Sequence, residues 1–350
     1  MKPLGPSELR VLRRLALDPT ERQVGIAEQL GVSRSAVSQI WNRLTEERSL
    51  RVRCLLDYRS LGFSILIGWA WSEEDAAAVE KFSRWLDANP FVIAKADALM
   101  SSKTDERVYF EVLLPFGPHH SSFLEKLVRF EKRPYNLTVE YEPVSTITAQ
   151  TNLGLFNGNS WDFKANFRFE ASIDAAREFS EILPAETRLN QGSHPEPSTD
   201  ILVIGACLEN DYYSSAAQVH DCMLTLGLSP PSLRTIRRRL SHYRDQLGTP
   251  YIEIQNVGLG PSIIACVDDL TGGSGISRLL HSQGHLLPRA RILSGSRLVA
   301  MDISLPSGSD WFGFSISLSN MLKSDAQVCT FITKARIIRK GLEDVLPYLF

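Results

Sequence analysis

In LGVSRSAVSQIWNRL, residues 30–44, Arg34, Ser35, Ser38, Gln39 and Asn42 fall on one side of a helical wheel, and Val37, Ile40 and Leu44 fall on the other. Polar side chains at successive helical turns suit the major groove of DNA, where Gln and Asn pair with adenine and Arg with guanine or a phosphate. Any solvated helix offers similar groups, so the neighbouring residues decide. Ser33 stands before the helix as a cap, Arg43 extends its charged side, and Arg51 and Arg53 follow it in SLRVRCLLDY. The same stretch returns 196 positions later as LGLSPPSLRTIRRRL, residues 226–240. There Pro230 and Pro231 replace side chains that could read a base edge. Arg234, Thr235, Arg237 and Arg238 remain, a set that favours phosphates over bases.

Local charge supports the reading. The 350-residue chain carries 38 Lys or Arg against 40 Asp or Glu, so it is not a protein that coats nucleic acid indiscriminately. Residues 1–60, however, hold eleven basic and seven acidic side chains, and residues 229–244 hold five arginines and no acid. Positive charge thus collects around the two copies of the quoted stretch. Double-stranded DNA is the expected partner.

Other chemistry is poorly supported. Five cysteines are scattered without a CxxC pair, which speaks for buried free thiols rather than zinc or a disulfide framework. His281 and His285 are spaced as helix neighbours but lack the further ligands of an HExxH site. LTGGSGIS (270–277) lacks the Lys-Ser/Thr ending of a phosphate loop and reads as a turn. No catalytic arrangement of Ser, His and Asp or of paired carboxylates stands out, so the sequence predicts no catalytic residues, cofactor or metal, and a protein that is not an enzyme.

The elements that must position these residues follow from hydrophobic spacing. Leu9, Leu12, Leu15 and Ala16 predict a first helix capped by Ser7, residues 23–30 a second ended by Gly31, and residues 34–47 a third. With a wing at SLRVRCLLDY this is a winged helix-turn-helix. FSILIGWAW, a helix, FVIAKADALM, RVYFEVLLP, a helix and YNLTVEYEPV then give β-α-β-β-α-β, the order of a ferredoxin-like sandwich. The second half repeats both units. The fold class is therefore α+β, a tandem repeat of a winged helix-turn-helix followed by a ferredoxin-like sandwich. Expected domains are 1–56 and 200–256 (winged helices) and 57–155 and 257–350 (ferredoxin-like), with 156–199 as linker. An apolar fraction of 43% and no long apolar run predict a cytoplasmic chain without a membrane span.

DYRSLGFSILIGW (57–69), where Asp57, Leu61 and Gly62 precede the first sheet strand, resembles the Lrp/AsnC family of transcription regulators, and NVGLGPSIIACV (256–267) resembles the same junction. The duplicated form is similar to tandem archaeal regulators. The resemblance implies promoter binding by the winged helices and pairing or ligand sensing by the ferredoxin-like units. An intramolecular pseudo-dimer of the two repeats is expected, with a homodimer of such chains as a further assembly; no small-molecule effector is named by the sequence. The hairpin ALMSSKTDERVYF lacks the Gly-Asp pattern of amino-acid sensors. A second reading comes from the siroheme decarboxylases, which resemble the same architecture, but their His-Cys-Tyr and Trp-Pro-Tyr-Asn signatures are absent from that hairpin. A protein-interaction adaptor is a third. The main expectation is a sequence-specific DNA-binding transcription regulator.

Overall fold

The structure, a computed structural model, describes residues 3–103, 106–163, 198–270, 275–322 and 325–350. Helix α1 (Pro6–Leu17) starts one residue before the expected cap: Gly5 N–H donates to the Glu8 carboxylate at 2.7 Å, and Pro6 takes the first helical place, where no N–H is required. Helix α2 (Gln23–Leu30) ends at Gly31, whose φ of 65° lies in the left-handed region. Helix α3 (Arg34–Arg48) is capped by Ser33, whose Oγ accepts from Ala36 N at 3.2 Å. Leu12, Leu15, Ile26, Val37 and Leu44 form the core of this unit. Full burial of each such side chain is worth about 1.5–3 kcal/mol.

Strand β1 (Arg51–Leu56) is followed by β2 (Phe63–Ser72), α4 (Ala76–Asp87), β3 (Val92–Ser101), β4 (Glu106–Pro115), α5 (Pro118–Glu131) and β5 (Thr138–Pro143), then by an unexpected strand β6 (Thr146–Thr151). The second half contains α6 (Thr199–Asn210), α7 (Ala216–Thr225), α8 (Leu233–Tyr243), β7 (Gly248–Glu253), β8 (Leu259–Asp269), α9 (Gly275–Gln283), β9 (Arg289–Ser294), β10 (Leu298–Pro306), α10 (Trp311–Leu322), β11 (Ala326–Thr333) and a short α11 (Leu342–Val345). The α+β tandem architecture is as expected. Pro230 and Pro231 lie outside α8, because Ser232 takes the cap and its Oγ accepts from Thr235 N at 3.3 Å. Residues 164–197 of the expected linker and residues 271–274 of LTGGSGIS lie outside the described residues.

The two repeats are joined by strand pairing. One nine-stranded sheet runs β5-β2-β4-β3-β11-β8-β10-β9-β6, with five strands from the first repeat and four from the second, and the repeats meet where Phe331 of β11 faces Ser101 of β3. The consecutive strands β5 and β6 lie at opposite ends of that order: Val144 N donates to Ile65 O, and Ser145 N donates to Ser294 O. One continuous segment thus leaves β2 of its own repeat and adds itself to β9 of the other. The wings behave likewise. β1 pairs antiparallel with β7, from Arg51 opposite Glu253 to Leu56 opposite Gly248, instead of forming a separate wing in each repeat. A Cβ at Gly248 would lie 2.1 Å from the Leu55 carbonyl oxygen, so only glycine permits this approach.

Strand alternation sorts the apolar residues. Ile263 and Ala265 pack with Leu280, Phe314 and Leu318 under the second repeat's own helices, whereas Ile264 and Cys266 join the core shared by both repeats. The face that meets the partner repeat is therefore one residue out of step from Ile263 and Ala265. Among the described residues no helix is long and apolar enough to cross a membrane.

Candidate functional site: an arginine-lined cleft between the repeats

Alternation along β1 buries Val52 and Cys54 and turns Arg51 and Arg53 outward. On β9, Arg289 and Arg291 share one strand face by the same period of two. These residues meet Arg336 and Arg339, which follow β11, around a cleft of about 390 Å³. Tyr251, Glu253 and Asp302 line it as well, beside uncharged polar residues such as Gln150, Gln255 and Ser304. Six guanidiniums thus face two carboxylates, with a third, Glu111, buried behind them.

Glu111 organises the floor. Its Oε2 accepts from Arg291 Nη2 at 2.9 Å, and its Oε1 accepts from Arg339 and, at 2.9 Å, from the Tyr109 hydroxyl. Arg339 also reaches Asp302 at 2.6 Å. Burial alone would raise the Glu111 carboxyl, but the Arg291 and Arg339 charges outweigh it and hold the group down at about 2. Glu111 in EVLLP and Asp302 in DISLP occupy matching places in the two repeats. The floor is therefore a pair of equivalent carboxylates that share one arginine.

The walls are less satisfied. Arg53 Nε donates to Glu209 O at 3.0 Å and its Nη1 to Glu253 at 3.0 Å; burial pushes the Glu253 carboxyl up, and Arg53 brings it below its ordinary value. Arg289 Nη2 donates to Ile254 O at 2.5 Å, while its Nε and that of Arg291 are buried without a hydrogen-bond partner among the described residues. Burial pulls the Arg289 guanidinium below its usual range and raises the Tyr251 phenol above its own. Buried, under-bonded guanidiniums beside a solvent-connected cleft suit carboxylates, whose two oxygens match their paired N–H groups.

The residues read from the sequence as DNA contacts are dispersed. Ser33 caps α3 and approaches Ser35 at 3.0 Å; Arg43 pairs with Glu8 at 3.2 Å; Gln39 and Asn42 are exposed and Ser38 is half-buried. Arg34 edges a different cavity, beside Trp41. Arg51 and Arg53 enter the cleft, and Arg53 is tied to the other repeat. Arg234, Arg237 and Arg238 are exposed on α8, and Thr235 lies 3.0 Å from Ser232. Sequence reasoning missed Arg289, Arg291, Arg336, Arg339, Tyr251, Glu111 and Asp302. The available signals were RARIL (289–293) and KARIIRK (334–340), each with arginines amid apolar residues, and the EVLLP/DISLP match.

His281 belongs to a separate buried cluster. Its Nε2 lies 2.9 Å from Ser294 Oγ and its Nδ1 2.9 Å from Thr148 Oγ1, while Ser277 donates to Ser294 at 2.8 Å. Ser294 is fully buried, so the group ties β6, α9 and β9 together and offers no accessible nucleophile. Among the described residues no His, Cys, Asp and Glu grouping could hold a metal.

No known protein family and no curated protein matches the sequence. Solved structures do match. The siroheme decarboxylase NirDL covers 97% of this chain and 96% of its own at 13% identity and a TM-score of 0.53. Its structure with an iron-uroporphyrin III analogue matches at 12% identity and 0.52. The L-Met-bound transcriptional regulator from Neisseria meningitidis covers 39% of this chain and 88% of its own at 17% identity, with a TM-score of only 0.28. At these identities the full-length match shows a common fold. The main expectation, a transcription regulator without enzymatic activity, is corrected: the likeness that runs the whole chain is to an enzyme, whereas the regulators match only part of it. The expectation rested on the winged-helix pattern of this sequence, and only the structure shows the two wings paired with each other.

Proposed function

We propose that this chain is an enzyme of the siroheme-decarboxylase kind, which takes a tetrapyrrole bearing several carboxylates in the cleft between its repeats. One observation carries the reading: Arg51, Arg53, Arg289, Arg291, Arg336 and Arg339 converge on one cleft with too few acids to neutralise them. A polycarboxylate supplies the missing charge. The fold shared along its length with NirDL supports the same reading.

Loss of carbon dioxide from an acetate side chain breaks a carbon–carbon bond and leaves its electron pair on the methylene carbon, which must then take a proton. The hairpin 97–110 lacks the His-Cys-Tyr signature, and its tyrosine, Tyr109, is buried and donates to Glu111. The proton is therefore assigned to the half-buried Tyr251, whose hydroxyl is kept protonated by burial. The arginines hold the carboxylates that remain and thereby orient the ring. Bidentate arginine contacts give direction as well as attraction, which lysine would not.

Titration with iron uroporphyrin III, followed by its visible absorption, tests binding; anaerobic incubation with sirohaem, followed by mass analysis of the product, tests turnover. Saturable binding and loss of 44 Da per reaction, about the mass of carbon dioxide, are expected, with the reacting acetate becoming a methyl group. No binding by the intact chain would refute the reading.

A further inference from the structure

A second cavity, of about 630 Å³, is lined by the first helix-turn-helix, β1 and the residues at the end of α6 in the second repeat. Three guanidiniums line it, from three elements: Arg22 at the start of α2, Arg34 at the start of α3 and Arg51 on β1. All three are exposed, and none forms an ion pair among the described residues. Asp211 is the acid of the lining, and its Oδ1 already accepts from Tyr213 N at 2.9 Å.

The wall beneath them is aromatic and fixed. Trp41, half-buried on α3, meets Tyr213 edge-on with ring centroids 5.9 Å apart. The Tyr213 hydroxyl lies 2.7 Å from Pro19 O and 2.9 Å from Glu21 O and donates into this pair of carbonyls. It therefore turns its polar end away, toward the first repeat, and locks the two repeats around the indole. Val24, Leu50 and Val52 supply apolar surface beside it. A rigid indole bordered by guanidiniums without carboxylate partners has two complementary needs: a flat ring and a negative charge.

We propose that this cavity is a binding site for a planar aromatic anion, with the ring against Trp41 and its carboxylate or phosphoryl group on Arg22, Arg34 and Arg51. The site is separate from the tetrapyrrole cleft, but the two share Arg51, which lines both. Occupation of one cavity therefore competes for a side chain of the other. Arg34 and Arg22 line this cavity and not the cleft, which makes them the residues for a clean test.

The probes are 2-naphthoate for the carboxylate source and adenosine monophosphate for the phosphoryl source, each titrated calorimetrically into the full chain. Uncharged 2-naphthol and adenosine, and inorganic phosphate alone, serve as controls. At least one aromatic anion is expected to bind at one site per chain, ten-fold or more tighter than its neutral analogue and than phosphate. Which of the two binds identifies the source of the charge. Arg34→Gln and Arg22→Gln, both at exposed positions, should each weaken that binding ten-fold or more and leave iron uroporphyrin III binding unchanged. The proposal falls if neither anion outcompetes its neutral analogue, if phosphate alone binds as well, if both variants bind like the parent, or if they weaken the tetrapyrrole equally. Failure of the cleft reading would instead appear as no tetrapyrrole binding by the parent chain.

Discussion

Arg291 on β9 of the second repeat and Glu111 on β4 of the first meet at 2.9 Å beneath the cleft. Their ion pair connects the repeats at a place where water has no access to the carboxylate. Removing one member strands the other. Glu111→Gln would leave the Arg291 and Arg339 charges facing each other without their shared partner. Chemical denaturation should show a loss of about 3–5 kcal/mol, the usual cost of breaking a buried pair from one side. Replacing Glu111 and Arg291 together by apolar residues should cost less than the sum of the two single changes.

Acid should weaken the fold in two stages. Burial depresses His281 to about 4, below its ordinary 6.5, so between those values the unfolded chain binds a proton that the folded chain refuses. Stability supplied by this group is present above pH 6.5 and is lost as pH falls toward 4, by at most about 3 kcal/mol. Glu111, which its arginines hold near 2 despite burial, adds a second loss as pH falls from 4.5 toward 2. His281→Gln should flatten the upper stage of a pH–stability curve and leave the lower one. An unchanged slope between pH 6.5 and 4 would show that other groups carry it.

Gly248→Ala is a test of the wing pairing. The added carbon cannot coexist with the Leu55 carbonyl at 2.1 Å, so β1 and β7 must separate at that end. A loss of about 2–4 kcal/mol is expected, as for other forced backbone clashes. Faster hydrogen exchange at Leu56 and Asp57 would localise it, since Asp57 N donates to Leu247 O.

Cleft variants should divide binding from chemistry. Arg289→Leu removes a buried guanidinium and should weaken iron uroporphyrin III about ten-fold or more, in line with the ~1.5–3 kcal/mol of a charged hydrogen bond. Tyr251→Phe keeps the ring and loses the proton, so binding should persist while sirohaem turnover falls by about a hundred-fold or more. Full turnover by the Phe variant would assign the proton to another group.

The tandem α+β pattern was legible because hydrophobic period and helix caps are local: Gly31 ends α2 and Ser33 caps α3 within a few residues. β6 was not legible. TITAQT alternates over only five residues with Ile147 as its one large apolar side chain, too short a signal to name a partner, and it is a strand because Thr146 to Thr151 find β9 more than a hundred residues away. The cleft was hidden for the same reason. Arg53 and Arg289 become neighbours of one cavity only through the β1–β7 and β6–β9 pairings, which no window of sequence contains. Arg34 and Arg51 were conspicuous as basic residues near a helix-turn-helix, but charge alone does not distinguish a DNA groove from a cavity within the protein.

The matching of Glu111 and Asp302 has an evolutionary consequence. In a dimer of identical chains every substitution is made twice, so two symmetric sites must change in step. Fusion of the halves removes that rule. Opposite Asp302 on the neighbouring strand stands Arg291, but opposite Glu111 stands Ala94. The two halves therefore differ at this matched place, a guanidinium in one and a methyl group in the other, so the floor of the cleft is not twofold symmetric.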